Sequence, residues 1–172
     1  MDKTVIVING RGGVGKDTCV DAVARKYVVL NCSSITPIKA VAEDLGWDFF
    51  DKSDKARKFL SDLKTLSSEY NDFPFKYLLI KYKWFRTSDN MNVMFVHIRE
   101  PEEIAKFKAQ VPECKTLLIK SNRVERDFGN EADDNVDNYD YDYVYHNDKP
   151  LDEVADDFLK FFEERILEGG ST

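Results

Sequence analysis

The segment Gly10-Arg11-Gly12-Gly13-Val14-Gly15-Lys16-Asp17-Thr18 constrains this chain more than any other stretch. It follows an apolar, β-branched run, Thr4 to Ile8, and precedes Cys19 to Tyr27, in which Val20, Val23, Ala24 and Tyr27 recur at helical spacing. Gly10, Gly15 and Lys16 fit a glycine-rich turn between a strand and a helix, a loop whose backbone N–H groups cradle phosphate. Glycine lets the backbone turn tightly enough to aim successive N–H groups at one anion. The start of the next helix adds unpaired donors and the positive end of its dipole. Lys16 then supplies a mobile cation for the β- and γ-phosphates. Asp17 stands where such loops usually carry a hydroxyl directed at Mg²⁺, and the hydroxyl comes one position later, in Thr18. A carboxylate beside a triphosphate makes sense with a cation between them. The sequence therefore implies Mg²⁺ at Asp17 and Thr18, held directly or through water, while helix capping remains open for Asp17.

At 172 residues the chain reads as one domain, 1–172, long enough for a sizeable core. With 42% hydrophobic and 33% charged residues, disorder is not the expectation. No apolar run approaches the roughly 20 residues that cross a bilayer. Met1-Asp2-Lys3 leads straight into the first strand without a signal-peptide pattern, so a cytoplasmic protein with no membrane partner is expected. Cys19, Cys32 and Cys114 are odd in number and widely spaced, as reduced, buried thiols would be. The net charge of −7 argues against a general affinity for nucleic acid. Basic residues nevertheless gather in the middle of the chain, among them Lys52, Lys55, Arg57, Lys58 and Lys76, where they could collect a small anion.

Strands and helices alternate along the sequence. Strands are expected at Thr4–Ile8, Tyr27–Leu30, Asn92–Ile98, Lys115–Ile119 and Tyr141–Tyr145. Thr36-Pro37 opens a helix that Gly46 stops, Ser53 caps a second, and Phe73-Pro74 opens a third. In the second, Ala56, Phe59, Leu60, Leu63 and Leu66 form one apolar stripe expected in the core; in the third, Phe75, Leu78, Leu79 and Tyr82 do the same. Pro101 begins a short helix. Pro150 to Leu167 is expected to close the chain as an amphipathic helix with Leu151, Val154, Phe158, Phe161, Phe162 and Ile166 inward. Such alternation argues for a parallel sheet covered on both faces. Residues 121–140, polar and acidic with little periodicity, read as a functional flap.

In open α/β sheets ligands bind beyond the carboxyl ends of the strands. Arg99 stands at such an end, and the flap carries Arg123 and Arg126. Phosphoryl transfer needs positioned phosphates, Mg²⁺ and cations that spread developing charge, which Lys16, Arg99, Arg123 and Arg126 can supply. For Arg99 an ion pair with Glu100, Glu102 or Glu103 is the structural alternative, as pairing with Asp54 or Asp62 is for Arg57. His97 reads as a satisfied core histidine and His146 as a surface residue.

The motif GRGGVGKDT resembles the phosphate loop of nucleoside monophosphate kinases. Its GKDT part is similar to that of phage and bacterial deoxynucleoside monophosphate kinases and animal-type phosphomevalonate kinases. Thr36-Pro37-Ile38-Lys39, Ile98-Arg99-Glu100-Pro101-Glu102-Glu103 and Tyr141 to Leu151 also resemble segments of that family. The resemblance implies a three-layer P-loop NTPase fold with a five-stranded parallel sheet, an acceptor-binding helical insert over about 35–86 and a lid over about 121–140. It implies an ATP site at Gly10, Arg11, Gly12, Gly13, Val14, Gly15, Lys16, Asp17 and Thr18, with Arg99 contacting phosphate. It further implies that Lys39 and Arg57 are the best acceptor cations, that Arg123 and Arg126 belong to the lid, and that His146 to Asp148 lie near the adenine. The implied activity is ATP- and Mg²⁺-dependent phosphoryl transfer to a nucleoside or deoxynucleoside monophosphate. A kinase for a non-nucleotide phosphate such as phosphomevalonate, and a nucleotide-binding module without turnover, are the alternatives. The sequence departs from the family at His97, where an aspartate is common.

Overall fold

The computed structural model describes residues 2–123 and 135–169. Its sheet has the order β2-β3-β1-β4-β5, built from β1 (Thr4–Asn9), β2 (Val29–Ser33), β3 (Val93–His97), β4 (Lys115–Lys120) and β5 (Tyr143–His146). All five strands run parallel. β1 lies at the centre because it can be buried on both faces: Val5, Ile6, Val7 and Ile8 are each no more than 1% exposed. It pairs with β3 from Thr4↔Val93 to Ile8↔His97 and with β4 from Ile6↔Lys115 to Asn9↔Leu118. Parallel pairing brings the carboxyl ends of the strands to one rim, so Gly10, Arg99 and Ser121 follow their strands on the same side of the sheet.

The helices α1 (Lys16–Ala24), α5 (Pro101–Gln110) and α6 (Val154–Phe161) belong with the sheet, and α1 packs on α6. One core cluster joins Ile6, Ile8, Phe95, Leu117 and Ile119 to Val20 and Val23 of α1 and to Phe158 of α6. The even positions of β1 enter this layer, as the two-residue period of a strand requires. Past Phe161 the helix widens into a π turn, Phe162–Leu167, in which the Glu168 N–H donates to the Glu163 carbonyl at 3.1 Å. Phe162 and Ile166 are both buried there, and the Lys115 ammonium donates to the Ile166 carbonyl. The wider turn keeps residues four apart on one buried line.

Chain contacts divide the protein into two compact units, residues 1–31 with 88–172, and residues 32–87. The second holds α2 (Thr36–Asp44), α3 (Asp54–Asn71) and α4 (Phe73–Thr87), which pack on one another. Ser53 caps α3, its hydroxyl accepting from the Ala56 N–H at 3.2 Å. Ala56, Phe75, Leu78 and Phe85 are buried. The three cysteines are buried and unbridged, and burial pushes each thiol up to about 12.

Several boundaries differ from the sequence expectation. β2 begins at Val29 rather than Tyr27, because the Tyr27 N–H still bonds the Val23 carbonyl and its ring packs against the core. β5 begins at Tyr143 rather than Tyr141, because the Asp142 carboxylate accepts from the Thr116 N–H and hydroxyl and takes that residue out of strand geometry. The closing helix begins at Val154 after a turn at Pro150, which leaves Leu151 79% exposed instead of inward. Leu66, expected in the α3 stripe, is also exposed, at 63%.

Candidate functional site

The phosphate loop leaves β1 through Gly10 at φ 150° and enters α1 through Gly15 at φ 92°. Side chains are excluded at both positions. A Cβ on Gly10 would lie 2.6 Å from the Ile119 carbonyl oxygen, and one on Gly15 would run into the Asn147 amide. Lys16 opens α1 and folds back, its ammonium donating to the carbonyls of Gly10 and, at 2.8 Å, Arg11. The loop's own backbone thus holds the cation where the two ends of the loop meet. Asp17 and Thr18 follow, exposed on the first turn of α1. A carboxylate and a hydroxyl are a donor set that Mg²⁺ accepts alongside phosphate oxygens and water. Among the described residues no group of three His, Cys, Asp or Glu side chains is placed to hold a metal alone. An ion at Asp17 and Thr18 would draw the rest of its shell from phosphates and water.

The ends of the neighbouring strands are tied to this loop by two asparagines: Asn9, which sequence reasoning passed over, and Asn147, which it included only in the stretch His146 to Asp148. Asn9, 1% exposed, accepts the Gly10 N–H at 2.8 Å and donates to the Arg99 carbonyl at 3.0 Å and the Tyr141 hydroxyl at 2.7 Å. The Tyr141 hydroxyl in turn donates to the Val136 carbonyl at 2.9 Å. Asn147, 5% exposed, donates from its side chain to the Val14 carbonyl at 2.8 Å and from its backbone to the Lys120 carbonyl at 2.7 Å. The Arg123 guanidinium donates to the Asn147 carbonyl at 2.8 Å and to its Oδ1 at 3.1 Å. Arg123 therefore lies against the residue that supports the loop. Arg126 lies outside the described residues.

His97 ends β3, half-buried, with its Nε2–H donating to Asn31 Oδ1 of β2 at 2.8 Å. The ring is neutral. Burial pushes its pKa down to about 4, Asp17 opposing the drop and Lys16 and Arg99 adding to it. Arg99, two residues on, is exposed. Arg11 reaches Asp137 at 3.5 Å, and the same carboxylate accepts from Lys120 at 2.8 Å. Beside them opens a cavity of about 260 Å³ whose walls include Val14, Lys120, Ser121, Asn122 and His146. His146 itself is exposed, and Asp148 holds the next turn by accepting the Asn122 N–H at 2.8 Å.

Lys39 and Arg57 belong to the helical unit. The Lys39 ammonium stands 5.4 Å from the centre of the Phe49 ring. Arg57 is exposed on α3, 3.8 Å from Asp54 one turn earlier, a pairing worth little in water.

No protein-family model matches the chain, and no curated protein is significantly similar to it. Solved structures do match. The protein TT1252 from Thermus thermophilus superposes over all of both chains, with a TM-score of 0.53 at 16% identity. The fold is the three-layer α/β fold of the P-loop NTPase and kinase-like type. A sugar kinase from Janibacter sp. superposes with a TM-score of 0.50 at 11% identity, covering 94% of this chain and 95% of its own. At these identities the likeness concerns the fold alone.

Proposed function

We propose that the protein is an ATP- and Mg²⁺-dependent phosphotransferase acting on a small phosphorylated acceptor, a nucleoside or deoxynucleoside monophosphate. The observation that carries this reading is the loop between β1 and α1. Gly10 and Gly15 adopt left-handed backbone with no room for a side chain, and Lys16 is held at the loop's closure. Such a loop, opening a helix at the carboxyl rim of a parallel sheet, binds polyphosphate through backbone N–H groups and the helix dipole. In this reading Lys16 meets the β- and γ-phosphates, Arg99 meets charge that develops on the transferring group, and Arg123 and Arg126 serve a lid over about 121–140. Mg²⁺ at Asp17 and Thr18 supplies charge neutralisation and alignment of the phosphates when bound. The 260 Å³ cavity beside Arg11 and His146 takes the adenosine. Residues 35–86 take the acceptor, with Lys39 and Arg57 as its cations, within a single kinase-like domain 1–172.

Release of ADP from Mg-ATP, measured across nucleoside monophosphates, deoxynucleoside monophosphates and small phosphorylated metabolites, tests the reading. It predicts release well above the intrinsic ATPase rate with at least one nucleoside monophosphate. His97 is the observation that favours a nucleotide-binding module without turnover: β3 ends in a neutral ring bonded to Asn31, not in a carboxylate. That module binds Mg-ATP but releases no ADP with any acceptor.

A further inference from the structure

Helix α4 is strongly cationic in an acidic protein. Its residues Phe73–Thr87 include Lys76, Lys81, Lys83 and Arg86 and no acidic side chain, whereas the whole chain has a net charge of −7. One side of the helix is buried through Phe75, Leu78 and Phe85. The other is not simply polar. Ile80 is 63% and Trp84 50% exposed, with Lys76 and Lys83 exposed among them. The Lys81 ammonium lies 5.3 Å from the ring centres of both Tyr77 and Trp84, which keeps the indole along the helix. Among the described residues neither Lys76 nor Lys83 has a carboxylate within 4.0 Å. An apolar strip between unneutralised cations suits an anionic partner that also has something apolar to cover.

The last helix carries such a surface. From Asp152 to Glu168 there are seven acidic residues and two basic ones, Lys160 and Arg165. An open groove on α6 and its π turn is lined by Asp156, Leu159, Lys160, Glu163, Glu164 and Glu168. Lys160 is answered there by Glu164 at 3.9 Å. The Asp156 side chain, 90% exposed, has Arg25 at 3.8 Å, a pairing worth little in water. Glu163 accepts from the Tyr27 hydroxyl at 2.6 Å and pairs with Lys26. Among the described residues no three of these carboxylates are placed to hold a metal ion. The spacing matches α4 instead. Lys83, Ile80 and Lys76 are separated by three and four positions, and so are Asp156, Leu159 and Glu163. Each set spans about 10.5 Å of helix. Laid antiparallel, each lysine meets a carboxylate and Ile80 meets Leu159.

We propose that the chain associates with itself, the cationic face of α4 on one copy docking antiparallel in the acidic groove of α6 on a second. Lys83 pairs with Asp156, Lys76 with Glu163 and its neighbour Glu164, and Ile80 and Trp84 cover Leu159. A lipid headgroup layer or a nucleic acid also offers negative charge, but only the second copy sets an apolar residue between two carboxylates at the spacing of α4. Beyond about 8–10 Å the net charges of two copies are screened at ordinary ionic strength, so the local match decides. The contact joins two different surfaces, and it closes into a pair or continues as a chain according to the angle between copies. It does not depend on the phosphotransferase reading.

Sedimentation equilibrium of the full chain over a range of concentrations measures the association. The mass is expected to rise with concentration at about 0.1 M salt, and the association to weaken roughly tenfold or more at about 0.5 M. Two charge-reversed proteins complete the test: Lys76→Glu with Lys83→Glu, and Asp156→Lys with Glu164→Lys. Each alone opposes like charges at the contact and is expected to stay monomeric. An equal mixture restores opposite charges on both surfaces and is expected to regain the wild-type mass, which also shows that both variants are folded. The proposal is overturned if the wild type is monomeric at every concentration, if either variant associates like the wild type, or if the mixture does no better than its parts. Anionic vesicles and single-stranded DNA are run beside it. A wild type that stays monomeric yet binds one of them through Lys76 and Lys83 would give α4 to that partner instead.

Discussion

The side-chain amide of Asn147 donates to the carbonyl of Val14 across 133 positions of sequence, so the turn after β5 supports the phosphate loop from behind. The same residue accepts the Arg123 guanidinium and donates to the end of β4. Loop shape, Arg123 and the rim of the sheet thus meet at one buried residue, through its side chain and its backbone.

Asn147→Ala is expected to destabilise the protein by about 1–3 kcal/mol, because the Val14 carbonyl loses its buried donor. It is also expected to weaken Mg-ATP binding, since the loop must keep its donors aimed before the phosphates arrive. Urea unfolding and calorimetric titration measure the two effects. Unchanged values in both would mean that Val14 needs no support.

Lys16→Ala is expected to leave the melting temperature without ligand within a few degrees of wild type and to abolish most of the rise given by Mg-ATP. A ligand that binds only the folded state raises stability by about 2.7 kcal/mol at a hundred times its Kd. Thermal melts with and without Mg-ATP make the comparison, and a full shift in the variant would contradict the assignment of the loop.

Arg99→Ala is expected to lower kcat by ~10² while ATP affinity changes little, because a cation that meets developing charge acts mainly in the transition state. The Asn9 bond to residue 99 uses its carbonyl and survives the substitution. An unchanged kcat would make Arg99 a surface residue.

His97 makes stability depend on pH. A histidine in the unfolded chain titrates near 6.5, whereas burial holds His97 at about 4. Between these values the unfolded chain binds more protons, so the contribution is complete above about pH 6.5 and is lost as pH falls toward 4. The loss is at most ~3 kcal/mol for one such group. His97→Gln is expected to flatten this part of the profile, measured as the difference between wild-type and variant urea midpoints from pH 7 to 4.5.

The sequence made the phosphate loop and the parallel sheet legible because both are local. Glycine spacing encodes the turn, and β-branched runs such as Val5 to Ile8 encode a strand buried on both faces. Edges were less legible, since they depend on side-chain bonds from elsewhere: Asp142 leaves β5 for Thr116, and Tyr27 stays with α1. The bonds that Asn9 and Asn147 make to distant backbone were invisible for the same reason. An asparagine in a sequence reads as a turn residue, and nothing nearby announces that its amide will meet Arg99 or Val14, 90 and 133 positions away. Leu66 shows the converse, a residue with helical periodicity whose face stays in solvent.

The central place of β1 also has a consequence in time. During synthesis Thr4 must wait for Val93, and Ile6 for Lys115, before the strand has neighbours on both sides. At roughly 5–20 residues per second that is on the order of 5–20 s in which a β-branched, uncharged segment has no partner. The helices α2 to α4 contact one another over short chain distances and can assemble meanwhile. The strand at the centre of the finished sheet is thus the one that waits longest for its partners.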